Sequence, residues 1–347
     1  MMIHSLALPP SDAEVDAWLA VLASAAAADL PQLPPPSRVE VAGRLCVTPA
    51  RGRPVLWTAG AGEGAGEGAG EGAGEGAGES EGVAALLLFT EEGNTHTAFL
   101  DVLTVRPGAR RRGVGTALWE RVREELLADG RTSVAAMLDL GGPGQAFAEA
   151  MGFENVLPMA WYAQDVPPAA AAPAGAAADG PAQPPATPGY ELLTWYGLVP
   201  DAWAPAAAAA HAAMEDAPTG DMDERIQTWT PERLHALQQL ILDRGGDMIT
   251  VAAVTPGGEV AAYTEIVLPD PEGTSALQYD TVVVPAHRGH GLGRAVKRHM
   301  AAQAAARHPQ LRRIATTVAD ENGPMRAVNE ALGYRRERGV GIYQIKL

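Results

Sequence analysis

Arg288-Gly289-His290-Gly291-Leu292-Gly293-Arg294 comes two residues after the apolar run Thr281-Val282-Val283-Val284-Pro285. A second copy lies about 180 residues upstream: Leu103-Thr104-Val105-Arg106-Pro107, then Arg110-Arg111-Arg112-Gly113-Val114-Gly115-Thr116. Each copy reads as a buried strand, a tight basic glycine turn and the first turn of a helix. β-Branched residues favour the strand, and glycine lets the backbone turn without a Cβ in the way. Successive N–H groups at a helix start, helped by the helix dipole, make an anion site. The arginines add charged donors beside it.

Three phosphate-binding patterns compete for such a turn. A dinucleotide fingerprint requires a third glycine three residues after the second, but Leu118 and Val296 stand there. A phosphate loop requires Gly-Lys-Ser/Thr, which neither copy contains. What remains is Arg-x-x-Gly-x-Gly shortly after a strand that runs into proline, present twice.

On these residues the chain resembles the GNAT family of acyl-CoA-dependent N-acyltransferases, once per half. The resemblance implies a mixed-sheet α/β (α+β) fold in two tandem copies. It also implies that acetyl-CoA, or another acyl-CoA, is the acyl donor. The pyrophosphate would then lie on Arg110, Arg111, Arg112, Gly113, Val114, Gly115 and Thr116 in the first half. In the second half it would lie on Arg288, Gly289, His290, Gly291, Leu292, Gly293 and Arg294. The strand before each turn, through Leu103 and Val105 or Val283 and Val284, would pair with the pantetheine arm. Downstream, Asn322, Asn329 and Leu332-Gly333-Tyr334 are similar to the family's asparagine and helix end, which adds Asn322 and Asn329 to the cofactor set. The first half keeps Met151-Gly152-Phe153 but has Asp139-Leu140-Gly141-Gly142 where an asparagine is expected.

The rest of the chain is organised around these two units. Residues 60–82 are a Gly-Ala-Gly-Glu repeat between two strand-like runs and read as an overgrown, disordered hairpin loop, since loop entropy grows slowly with length. Residues 167–189, rich in alanine and proline, read as a linker. The domains are therefore drawn at 1–166 and 190–347. Expected helices in the first half span 13–28, 113–128 and 144–151. Its strands are placed at 45–47, 55–58, 83–90, 98–105, 133–138 and 159–165. In the second half, helices are expected at 201–214, 231–243, 291–306 and 324–332. Its strands are placed at 249–254, 259–268, 275–284, 313–318 and 341–346. A meander followed by alternating helices and strands gives the mixed sheet.

Composition excludes other classes. The 347 residues carry a net charge of -16, which opposes nucleic-acid binding and favours cationic small molecules. No charge-free apolar run is long enough for a membrane span, and no basic-then-apolar leader opens the chain. A single cysteine, Cys46, excludes an internal disulfide framework, fits a reducing compartment, and reads as a small buried residue. A cytoplasmic protein acting on a small-molecule primary amine is expected. His287 and His290, without a nearby carboxylate or cysteine, are not read as metal ligands, and no metal is expected. The alanine-rich run 206–213, interrupted by His211, reads as a helix face and not as a site.

For the chemistry, an alkyl amine with a pKa of about 10 must lose a proton before it attacks a thioester. The carboxylates of the second half that flank the expected cleft are Asp280 and Glu265, with Asp101 as the first half's candidate. The family's tyrosine acid, four residues before its glycine, is replaced by Asn329 and Ala148. Tyr334, Tyr343 and Tyr279 are the candidate substitutes, with Tyr334 placed among the catalytic residues, and unassisted departure of the thiolate is the alternative. The second half is expected to react. The alternative is a non-catalytic acyl-CoA-binding protein, motivated by the missing tyrosines.

Overall fold

The computed structural model describes residues 1–60, 80–167, 187–216 and 218–347. The interior of the glycine repeat and most of the expected linker lie outside the described residues. The chain forms two compact units. Unit 1 comprises Met1–Asn155, Met222–Arg225 and Ile342–Leu347, and unit 2 comprises Val156–Asp221 and Ile226–Gly341.

Unit 1 runs β1 (Met2–Ser5), α1 (Asp12–Asp29), α2 (Arg38–Cys46), β2 (Gly52–Gly60), β3 (Ser80–Phe89), β4 (Ala98–Val105), α3 (Val114–Ala128), β5 (Ser133–Asp139) and α4 (Pro143–Ala150). A capping box opens α1: Ser11 Oγ accepts from Glu14 N, and Ser11 N donates to Glu14 Oε2 at 2.7 Å. Helix α1 lays Val15, Trp18 and Val21 on one face of the sheet, against Leu56 and Val83. Helix α3 lays Leu118, Val122 and Leu126 on the other, against Trp57, Leu86 and Leu88. Strand β3 is thus covered on both faces, which explains its unbroken apolar run. The expected strand at 45–47 is instead the end of α2, started by Ser37, whose side chain accepts from Val39 N. Cys46 is exposed, contrary to the expected burial, because Val41 and Leu45 take the inward face of that short helix.

The strand β6 (Glu154–Asp165) lies mostly in unit 2, where Met159 to Asp165 pair with the later strand β11 (Arg313–Ala319). Unit 2 continues with β7 (Glu191–Tyr196), α5 (Ala204–His211), α6 (Pro231–Asp243), β8 (Asp247–Val254), β9 (Val260–Leu268), β10 (Ser275–Val283) and α7 (Leu292–Arg307). After β11 come α8 (Gly323–Ala331) and β12 (Arg335–Lys346). The end of β12 belongs to unit 1, where Tyr343 joins the core and Leu347 N donates to Thr132 O at 2.9 Å. Strands β1 and β7 were not expected from the sequence. Both are short and pair along one side only, with β2 and β8.

One feature of the pairing positions the site. Strand β10 is hydrogen-bonded in parallel to β11 only through Ser275–Leu277 with Arg313–Ala315, although both strands run on. In unit 1, β4 and β5 share a single register pair, Phe99 with Ala135. In each unit the strand before the glycine turn therefore parts from its parallel neighbour and opens a wedge. Each of these strands also carries a bulge. The β9–β10 register shifts between Gln278 and Thr281, and the β3–β4 register shifts opposite Asp101.

Candidate active site

The glycine turns form as expected, by the same means in both units. A short 3-10 turn, Pro107–Ala109 or Pro285–His287, follows the strand. The backbone then turns through positive φ at Arg111 and Gly113, or at Gly289 and Gly291. Gly113 and Gly291 are the N-caps of α3 and α7, and neither helix start has a side-chain cap. Their first N–H groups point out of the helix end, which is the donor set a pyrophosphate requires. Arg111 takes at φ 61° the left-handed conformation that Gly289 takes at 84°.

The surroundings of the turns differ. Arg110 donates to both carboxylate oxygens of Asp29, at 2.7 and 2.6 Å, and Arg112 lies 3.3 Å from Glu81. Unit 1 thus neutralises two of its turn cations with its own acids. In unit 2, Arg288 Nε donates to the carbonyl of Val283 at 3.2 Å. His287 is held between Tyr190 Oη at 2.9 Å and Glu259 at 3.2 Å, so a carboxylate does stand beside it, contrary to the expectation from sequence. His290 Nδ1 lies 3.1 Å from the carbonyl of Arg288.

Behind the strand of unit 2, Glu265 on β9 and Asp280 at the β10 bulge come together, with His211 between them. His211 Nδ1 is 3.9 Å from Asp280 Oδ2, and its Nε2 is 4.0 Å from Glu265 Oε2. These gaps are about 1 Å longer than a hydrogen bond. The imidazole is fully buried, and neither ring nitrogen has a hydrogen-bond partner. It is sandwiched by Trp229, stacked at 3.7 Å, and Tyr263, edge-on at 4.5 Å. The reading of His211 as part of an inert helix face is therefore corrected. Its signal was a lone imidazole in an alanine-rich run, and only packing shows what it faces.

Environment separates the three groups. Burial, and then the charge of Asp280, push Glu265 up to about 8. Gln238 donates to Glu265 Oε1 at 3.1 Å and is itself held by Val199 N. Asp280 keeps 38% of its side-chain surface, yet burial of its carboxylate still raises it to about 6. Burial drives His211 down to about 3, so it is neutral. At neutral pH the arrangement is a protonated Glu265, a neutral imidazole and an ionised Asp280. The three groups also offer one ligand atom each within 4.8 Å, a donor set that a metal ion can use. Each carboxylate nevertheless makes its close approach to a different ring nitrogen, which is the geometry of a bridge and not of a single coordination centre.

The other expected residues lie deeper or elsewhere. Tyr334 is buried and donates to Gln278 Oε1, and burial pushes its hydroxyl well above the ordinary phenol range. Asn322 caps α8, its Oδ1 accepting from Met325 N at 3.1 Å. Asn329 is fully buried and accepts from Lys297 Nζ at 2.5 Å. Lys297 is a buried cation that the sequence reading passed over.

Counting from the shared turns and the strand register pairs these positions with unit 1. Ala85 and Val102, cross-strand partners there, stand where unit 2 has Glu265 and Asp280. Leu100 replaces Gln278, Trp119 replaces Lys297, Ala148 replaces Asn329 and Phe153 replaces Tyr334. Trp119 and Phe153 pack edge-on at 5.0 Å. Asp101 is thus the counterpart of Tyr279 and not of Asp280. It is paired with Arg44 at 3.4 Å.

The acetyltransferase (GNAT) family model matches residues 70–153 and 212–334, and the chain belongs to that family, with two tandem domains. It is an N-acetyltransferase of the GNAT type. Among solved structures it is similar to a tandem GNAT protein from the clavulanic acid biosynthesis pathway, determined without AcCoA. The two share 27% identity and a TM-score of 0.76, over 99% of this chain and 98% of that one. A GCN5-related N-acetyltransferase from Sphaerobacter thermophilus shares the fold at 16% identity and a TM-score of 0.66, over 99% and 95% of the two chains. A putative acetyltransferase from Pyrococcus horikoshii does so at 12% and 0.51, over 100% and 89%. None of the curated proteins compared matches the sequence. Among the described residues, no helix is long and apolar enough to cross a membrane.

Proposed function

We propose that unit 2 transfers an acetyl group from acetyl-CoA to the primary amine of a cationic small molecule in the cytoplasm. The observation that carries this reading is the Glu265–His211–Asp280 cluster beside the wedge, with Ala85 and Val102 in its place in unit 1. Asp280, the more open carboxylate, takes the proton of the incoming ammonium. Glu265 stays protonated, holds the ring through Nε2, and so aims Nδ1–H at Asp280. Tightening of the two gaps of about 4 Å on acceptor binding completes the chain. The bulge at Tyr279–Asp280 interrupts the β9–β10 ladder, which supports backbone N–H groups there as donors to the developing oxyanion. The uncapped start of α7, with Arg288 and Arg294 beside it, would hold the pyrophosphate.

For unit 1 the second reading is favoured. Its uncapped helix start supports acyl-CoA binding, and its apolar replacements for Glu265, Asp280 and Lys297 support binding without turnover. The test follows CoA thiol release with a panel of amines. Gly293→Trp should abolish turnover. Loss on Gly115→Trp with Gly293→Trp unaffected would move the reaction to unit 1.

A further inference from the structure

A thioester that reacts with an amine releases a thiolate, and no described role so far supplies its proton. Tyr334 is poorly suited, because its hydroxyl is committed to Gln278 and binds its proton more tightly than an ordinary phenol. Lys297 stands beside it. It lies one helical turn beyond Gly293 on the same face of α7, and the Cβ direction of Gly293 meets Val283 of β10 at 3.5 Å. That face of α7 is therefore turned toward β10. Lys297 Nζ ends over the ring of Tyr334, 4.8 Å from the centroid, and 2.5 Å from Asn329 Oδ1. Tyr334 in turn holds Gln278, the first residue of β10 beyond its pairing with β11. Lys297 thus lies beneath the apex of the wedge.

The site around it is built for a charge that comes and goes. Lys297 keeps only 3% of its surface, and among the described residues no carboxylate pairs with it. Its partner is a neutral amide. The Nδ2 of that amide is buried without a hydrogen-bond partner, a donor awaiting an acceptor. In unit 1 the same two positions are Trp119 and Ala148, which can neither give a proton nor hold one.

We propose that Lys297, oriented by Asn329, is the acid that protonates the departing CoA thiolate in unit 2. The proposal rests on the reading of unit 2 as the reacting half. As the C–S bond of the tetrahedral adduct breaks, sulfur takes the electron pair and receives a proton from Nζ. The first proton of the ammonium is already on Asp280, and the adduct nitrogen gives its second to solvent as the carbonyl reforms as an amide. Asp280 then returns its proton to solvent, and Lys297 regains one. Burial lowers Lys297 to about 7, which makes its ammonium a stronger acid than a thiol of pKa about 8.5.

The test uses the full chain with Lys297→Met, an apolar substitution of similar length that should fold, since it removes an unpaired buried charge. Two readouts are taken. The first is the ionisation of the thiol of bound CoA, followed by the ultraviolet absorbance of the thiolate. The wild type should show part of the thiolate absorbance appearing near pH 7, where Lys297 and the thiol share one proton, and this early step should be absent in Lys297→Met and altered in Asn329→Leu. The second is turnover: kcat should fall roughly a hundredfold with KM for acetyl-CoA held, and the alkaline limb of the rate should disappear. An unchanged thiol titration, or an unchanged kcat and pH profile, overturns the proposal. Absence of turnover with every amine in the wild type would defeat the functional reading instead, and the thiol titration would still decide the role of Lys297.

Discussion

The imidazole of His211 lies flat on the indole of Trp229, with ring centroids 3.7 Å apart and planes 10° from parallel. Stacking fixes the plane of the ring, and the plane fixes where its nitrogens point. Trp229 comes from the segment before α6, Glu265 from β9 and Asp280 from β10, so three separate parts of unit 2 define one orientation. Trp229→Leu should therefore lower kcat by roughly tenfold to a hundredfold, with KM for the acyl donor little changed. Steady-state kinetics at saturating amine would show it. An unaltered kcat would mean that stacking does not aim the ring.

Asp280→Asn removes the group assigned as base. Turnover should fall by about 10²–10⁴-fold. The wild-type rate should rise with pH through about 6, where Asp280 loses its proton, and the variant should lack that acid limb. A pH series of kcat/KM separates this from a loss of binding.

Glu265 gives stability a pH dependence of unusual sign. Its native pKa, near 8, is above its ordinary value of 4.5, so the folded state holds a proton that the unfolded chain releases. Its favourable contribution is complete below about pH 4.5 and is lost as the pH rises through 8. The loss is at most about 1.4 kcal/mol per pH unit in that window. Glu265→Gln should remove this slope, and urea unfolding at pH 6 and at pH 9, as chosen conditions, measures it. A slope that survives in the variant would assign it to other groups.

The Trp119–Phe153 contact replaces the Lys297–Tyr334 contact of the other unit. Trp119→Ala should cost about 3–5 kcal/mol in unit 1, the price of a large cavity. Trp119→Lys should be worse, because Ala148 offers no partner where Asn329 does. Chemical denaturation with a probe in unit 1 reads both.

The Arg110–Asp29 pair is partly exposed, at 25% and 30% of side-chain surface. Asp29→Ala should therefore shift unfolding by no more than about 1 kcal/mol. It should also release Arg110 and strengthen CoA binding at the first turn. Calorimetry on Asp29→Ala, with Gly293→Trp added to silence the other turn, would detect this. Unchanged affinity would show that Arg110 is not limited by Asp29.

Much of the site was legible in part. Strand neighbours beside the expected cleft point to Asp280 and Glu265, and the structure brings them together. Their partner His211 is not legible in the sequence, because an imidazole among alanines carries no periodic signal of what it faces. Asp101 was matched to Asp280 by similarity of position. Counting back from the shared turn gives that place to Val102, the cross-strand partner of Ala85, and leaves Asp101 in the bulge. Lys297 was invisible beside Arg294 and Arg298, where a basic residue on a helix reads as solvated.

The two glycine turns, with their strands and helices, follow from residues adjacent in the chain. Positive φ, β-branched runs and uncapped helix starts are local properties, so the sequence alone determined the fold and its duplication. The tertiary structure decided which unit carries polar groups that meet. That depends on burial and register between elements far apart in the chain. It made Glu265 and Asp280 neighbours of a neutral imidazole, and it left Lys297 with an amide for a partner. It also placed Ile342–Leu347 in unit 1 and most of β6 in unit 2.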